Sequence, residues 1–141
     1  GVTFVNSTEC GQRYVLYPRN TVAPNLGSGY KYFGVPLSSI AVTQTVPITF
    51  LEKLGVRDAI KVTSQYTTSA CVAKMVESSS AAVYVSSSSN ATLHATQMAD
   101  AEAIISDPWS TSQWADAGSV PKVICASPSY ESTPLGGAEW I

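Results

Sequence analysis

From residue 40 onward, short apolar runs alternate with amphipathic stretches. Ile40–Val42, Ile60–Val62, Ala82–Val85, Ala103–Ile105 and Lys122–Ala126 read as strands: brief, β-branched or small, and bounded by turn formers. Between them the apolar spacing shifts towards the helical period. Thr45 and Pro47 open a helix over 47–54, with Val46, Phe50, Leu51 and Leu54 on one face and Gly55 as the stop. Ser69–Glu77 is predicted helical with Val72, Met75 and Val76 inward. One or two helical turns are expected over 93–99, and a further helix over 110–117 ending at Gly118. Asp107-Pro108 closes the strand before it. Strand–helix alternation implies a parallel sheet covered on both faces, with right-handed crossovers limiting the topology.

The chain before residue 40 reads differently. Val2–Val5 and Arg13–Tyr17 are expected to form an edge hairpin around Glu9-Cys10-Gly11, and Tyr32–Val35 is a further strand after a Pro/Asn/Gly-rich loop. At the other end, Thr133 and Pro134 form a helix start. A helix over 134–141 is too short to be stable alone, so a continuation is expected. The predicted fold is α/β: a single three-layer lobe with a mostly parallel central sheet and short helices. Its organisation is 1–35 hairpin and edge strands, 36–132 α/β lobe, and 133–141 start of a linking helix, as a fragment of a two-lobed protein.

Composition narrows the setting. The chain has 141 residues, enough for one domain with a core. Only 13% of residues are charged and the net charge is −2, which argues against nucleic acid or an anionic membrane as partner. No apolar run approaches the roughly 20 residues that span a bilayer, so no direct membrane insertion is expected. Low charge fits a secreted, periplasmic, cell-surface or lumenal protein. Cys10, Cys71 and Cys125 are far apart in sequence, which excludes a local zinc or redox motif. They read as buried small residues, or as one disulfide plus a free thiol in an oxidising compartment, with the pair left open. Asn6-Ser-Thr8 and Asn90-Ala-Thr92 are N-glycosylation sequons, and Asn90 follows a serine run that reads as an exposed loop.

In open parallel sheets ligands sit beyond the carboxyl ends of the strands. The loops there carry Thr43, Gln44 and Thr45; Ser64, Gln65 and Tyr66; Asp107 and Trp109; and Tyr130 and Glu131. They are polar, and Tyr66, Trp109 and Tyr130 add amphipathic rings. Asp107 also suits a simple turn or cap, and Trp109 a core anchor. Catalysis finds little support. His94 is the single histidine and reads as solvated. No Gly-x-Ser-x-Gly elbow, P-loop, dinucleotide fingerprint or metal-ligand cluster occurs. No cofactor is expected, and the chain is read as a non-enzyme.

Several segments resemble the amino-terminal lobe of periplasmic-type solute-binding proteins of ABC transporters, the iron-siderophore and cobalamin class. They are Tyr14–Tyr17, Val35–Thr43, Pro47–Val56, Asp107–Trp109 and Ser132–Gly136 with Ala138–Ile141. The resemblance implies two α/β lobes joined by a long helix, with a small ligand in the cleft between them and a membrane transporter as partner. It implies binding residues in the strand-end loops named above. The basic anchors usual for an anionic chelate are not evident, since Arg13, Arg19 and Arg57 all lie outside those loops. The expected function is therefore extracytoplasmic capture of a small ligand, a ferric siderophore-like chelate or cofactor-sized molecule, for ABC-type uptake. The alternative is a secreted or lumenal structural subunit that keeps the fold, dispenses with transport and binds protein partners.

Overall fold

A computed structural model describes residues 1–7, 11–107 and 122–125. Its strands are β1 (Thr3–Ser7), β2 (Gln12–Pro18), β3 (Lys31–Val35), β4 (Ile40–Val42), β5 (Ile60–Thr63), β6 (Ala82–Val83), β7 (Ala103–Ser106) and β8 (Val123–Cys125). Its helices are α1 (Val46–Lys53), α2 (Ala70–Glu77) and α3 (Ala91–Asp100), with a 3-10 turn at Arg57–Ala59. The predicted α/β class is correct. A five-stranded parallel sheet has the order β6-β5-β4-β7-β8, beside a three-stranded sheet of order β1-β2-β3. In the small sheet β1 and β2 pair antiparallel, as the hairpin required, and β3 joins β2 in parallel. The expected helix over 110–117, the segment 133–141, and Trp109, Tyr130 and Glu131 lie outside the described residues.

The strand order dictates the layers. The chain starts at the sheet centre, steps outward through β5 to β6, then returns to place β7 on the other side of β4. With crossovers of one hand, that reversal puts α1 and α2 on one face and α3 on the other. The core divides accordingly. Ile40, Val42 and Ile60 pack with Ile48 of α1 and Val72 of α2. Ala41, Val62, Ile104 and Val123 pack with Met98 of α3. Ile60 and Val62 have the same parity yet face opposite layers. A register shift explains this: Ile40 pairs with Ile60, but Ala41 pairs with Val62, so Lys61 is an extra residue in the ladder.

The small sheet packs Tyr14 and Phe33 against Ala103 of β7, with Ile124 of β8 alongside. Arg19 pairs with Glu102, whose carboxylate also accepts the Ser38 amide at 2.8 Å, tying the two sheets at the start of β7.

Three expectations need correction. On α1 the buried residues are Pro47 and Ile48, with Leu51 packed against the same cluster as expected, while Leu54 is 74% exposed. Leu54 occupies the C-cap, where the helix has ended and Gly55 turns the chain at φ +72°, so it no longer follows the helical stripe. His94 is buried, because α3 starts at Ala91 and places it on the core face. Cys71 is not buried: it is an exposed free thiol on α2, whereas Cys125 is disulfide-bonded.

Candidate functional site

Parallel strands deliver their carboxyl ends to a single rim, and the helices that follow start there. Along that rim the ends of β4, β5 and β6 enclose an open cleft of about 700 Å³. Thr43, Gln44 and Thr45 contribute the first wall, and Ser64, Gln65 and Tyr66 the second. The third runs from Val83 through Tyr84 and Val85 to Ser86 and Ser89. All six of the sequence candidates that follow β4 and β5 thus come together.

The second wall is a tight turn. Ser64 is buried; its carbonyl accepts the Thr67 amide at 3.2 Å and its hydroxyl accepts the Tyr66 amide at 3.2 Å. Tyr66 then stands at the rim with 72% of its surface exposed. Of the third wall, the sequence was read as a strand over Ala82–Val85 followed by an exposed serine run, and neither was counted among the binding loops. The rule that singled out the other loops applies to it as well, since Ser86 and Ser89 follow a strand of the same sheet. The two-residue β6 is too short to hold this loop by itself. Helix α3 holds it from below: Gln97 accepts the Val85 amide at 3.0 Å and donates to the Val83 carbonyl at 2.8 Å. His94 Nδ1 lies 2.9 Å from the Val85 carbonyl, and its ring meets Tyr84 edge-on at 5.8 Å. Burial pushes the Tyr84 phenol above its ordinary pKa, so it stays neutral.

Asp107 does not line the cleft, but it controls one of its walls. Gln44 Nε2 donates to Asp107 Oδ2 at 2.6 Å, and Thr43 Oγ1 donates to Ser106 Oγ at 3.0 Å. These bonds stitch the end of β4 to that of β7, where the chain's crossovers diverge. The crevice at the switch point is bridged, and the open volume lies over β4, β5 and β6 instead.

The two sequon asparagines are separate from this volume in different ways. Asn6 is exposed on β1 opposite Arg13, in the other sheet. Asn90 is exposed beside the third wall and caps α3, its side-chain oxygen accepting the Leu93 amide at 3.0 Å. Among the described residues, no lining side chain carries a formal charge at neutral pH. Hydroxyls, carboxamides and two phenol rings equip the cleft for hydrogen bonding and stacking. Among the described residues, no group of three or more His, Cys, Asp or Glu could hold a metal ion. No described helix is long and apolar enough to cross a membrane. No family model matches the chain, and no curated protein or solved structure matches it.

Proposed function

We propose that this chain is a ligand-binding lobe of an extracytoplasmic solute-binding protein, taking a cofactor-sized molecule at its strand-end rim for ABC-type uptake. The observation that carries this reading is the cleft formed by three successive strand-end loops of one parallel sheet. Its volume, about 700 Å³, falls within the range of small-molecule pockets. Uncharged donors and acceptors beside two tyrosines suit a ligand held by orientation-specific hydrogen bonds and stacking. The disulfide at Cys125 supports an oxidising compartment. The sequence resemblance supports the transport role.

The test is thermal denaturation with cofactor-sized compounds of every charge type, including ferric chelates, haem and corrinoids. A ligand that binds only the native state at 100 times its Kd stabilises by about 2.7 kcal/mol, so Tm rises. Tyr66→Ala should abolish the rise while leaving the unliganded Tm within about 1–2 °C, because exposed substitutions change stability little. No rise with any compound would reject the reading.

A second reading, an interaction subunit, draws on one feature. Strand β1 lies at the edge of the small sheet with Phe4 and Val5 exposed, Phe4 at 61%, and Val2 exposed just before it. Purification with partner proteins and without ligand response would favour it.

A further inference from the structure

We infer that the cleft prefers uncharged ligands to anions; this rests on the binding role proposed above. The distribution of basic residues carries the argument. The chain has eight Lys and Arg residues, all within the described segments, and none lines the cleft. Residues 8–10, 108–121 and 126–141 contain no Lys, Arg or His. No cation of this chain is therefore left to enter the site from them.

The fold explains the exclusion. Most of the basic residues sit at the amino ends of the strands, opposite the cleft. Arg57 precedes β5, and Lys61, near its start, donates to the Asp58 carbonyl at 2.9 Å. Arg19 is paired with Glu102 just before β7. Lys31 donates to the Val123 carbonyl at the start of β8 at 2.7 Å. Lys122 donates to the carbonyls of Met98 and Ala99 near the end of α3, at 3.0 and 2.9 Å. Lys53 and Lys74 occupy the last turns of α1 and α2, which run away from the rim. Arg13 lies in the small sheet, 4.8 Å over the Tyr30 ring.

Helix amino termini offer no substitute. Among the described residues no first-turn residue of α2 or α3 lines the cleft, and each N-cap takes one first-turn amide, Ser69 Oγ that of Val72 and Asn90 Oδ1 that of Leu93. In α1 Pro47 has no N–H, and the Ile48 amide is bonded to the Thr45 carbonyl at 3.2 Å. An anion entering the cleft would lose hydration without gaining a counter-charge. Among the described lining residues there is no carboxylate, and nearby Asp107 is already engaged by Gln44. A neutral ligand carrying hydroxyls or amides matches what Gln44, Ser64, Gln65 and Ser86 can offer.

The experiment uses isotope-labelled protein and two matched probe sets. One is methyl glucoside, its uronate and glucosamine; the other is benzamide, benzoate and benzylamine. Neutral members should shift the Gln44, Gln65, Tyr66 and Ser86 amide resonances with affinity at least about ten-fold above their anionic counterparts. Thr45→Arg, at an exposed lining position, should narrow or reverse that preference. Equal or stronger binding of the uronate and benzoate by the unaltered protein would overturn the inference while leaving the binding role standing. A preference unmoved by Thr45→Arg would also count against it. If no probe moves the cleft resonances, the binding role itself fails.

Discussion

The Gln44 carboxamide donates to the Asp107 carboxylate at 2.6 Å across the boundary between β4 and β7. One strand leads into the half of the sheet that builds the cleft, and the other leads away from it. The bond therefore fixes the first wall of the cleft against a strand that contributes no lining residue. Gln44→Ala should cost about 1 kcal/mol, below the roughly 1.5–3 kcal/mol of a bond to a charged group because both partners are partly exposed. The expected fall in Tm is about 2–4 °C. Asp107→Asn should cost less, since its oxygen still accepts. Thermal denaturation of both variants checks the order, and an equal loss would contradict it.

Gln97 spans the backbone of the third wall, bonding Val83 and Val85 from a buried position on α3. Gln97→Ala leaves an amide and a carbonyl without this partner and should cost about 1–3 kcal/mol. Gln97→Glu keeps the acceptor for Val85 but turns a carboxylate oxygen towards the Val83 carbonyl, and should cost at least as much as alanine at neutral pH. Urea denaturation measures the difference. Amide hydrogen exchange should show protection lost at Val85 in the alanine variant alone.

The caps of α2 and α3 should differ in weight. Ser69 and Asn90 each accept a first-turn amide, and a cap is worth about 1 kcal/mol. Ser69 also donates to Glu52 Oε1 at 2.5 Å, joining α2 to α1. Ser69→Ala should therefore lower stability more than Asn90→Ala. Thr92→Ala keeps the α3 cap while removing its sequon. On expression through a eukaryotic secretory pathway, a glycan is expected at the exposed Asn90 sequon, and it should vanish from the intact mass of this variant without a matching loss in Tm.

Stability should fall at alkaline pH. Burial raises the Tyr14 phenol above its ordinary 10.0, only partly offset by the Cys125 amide that donates to it. Burial raises Tyr84 in the same sense. A phenol whose folded pKa is raised contributes stability that is complete below its unfolded value and lost as pH climbs through the folded one. The loss should begin near pH 10 and continue above it. Lys31 opposes this over a lower window. Burial holds it below 10.5, so its charged form weakens the fold at neutral pH and that penalty is relieved as pH rises towards 10.5. Chemical denaturation from pH 8 to 11.5 should show the fall, and Tyr84→Phe should reduce it. An unchanged alkaline slope would remove Tyr84 as a contributor.

The alternating pattern was legible because each element announces itself locally. Ile40–Val42 and Ala103–Ser106 are apolar runs between turns, and Ser69 and Gly55 mark a helix start and stop. Side-chain direction was less legible. Leu54 looks like core by spacing but falls at the C-cap, and Ile60 and Val62 look like one face until the extra Lys61 separates them. His94 beside a serine run looks solvated until α3 proves to start four residues after Ser87. In each case side-chain direction depends on strand pairing or on where a helix begins and ends, which neighbouring segments set.

The order of short apolar and amphipathic segments was enough to specify a parallel α/β layer with polar loops at its strand ends. Each choice there depends on propensity and local bonding along a few consecutive residues. Which loops share a cleft was decided only in three dimensions. Strand order placed β5 and β6 beside β4 and carried β7 to its other side, so the loops after β4, β5 and β6 enclose a volume while Asp107 supports it from outside. The same arrangement kept every lysine and arginine off the rim. Strand pairing over long sequence separations determines such neighbourhoods, and no short stretch of the chain encodes it.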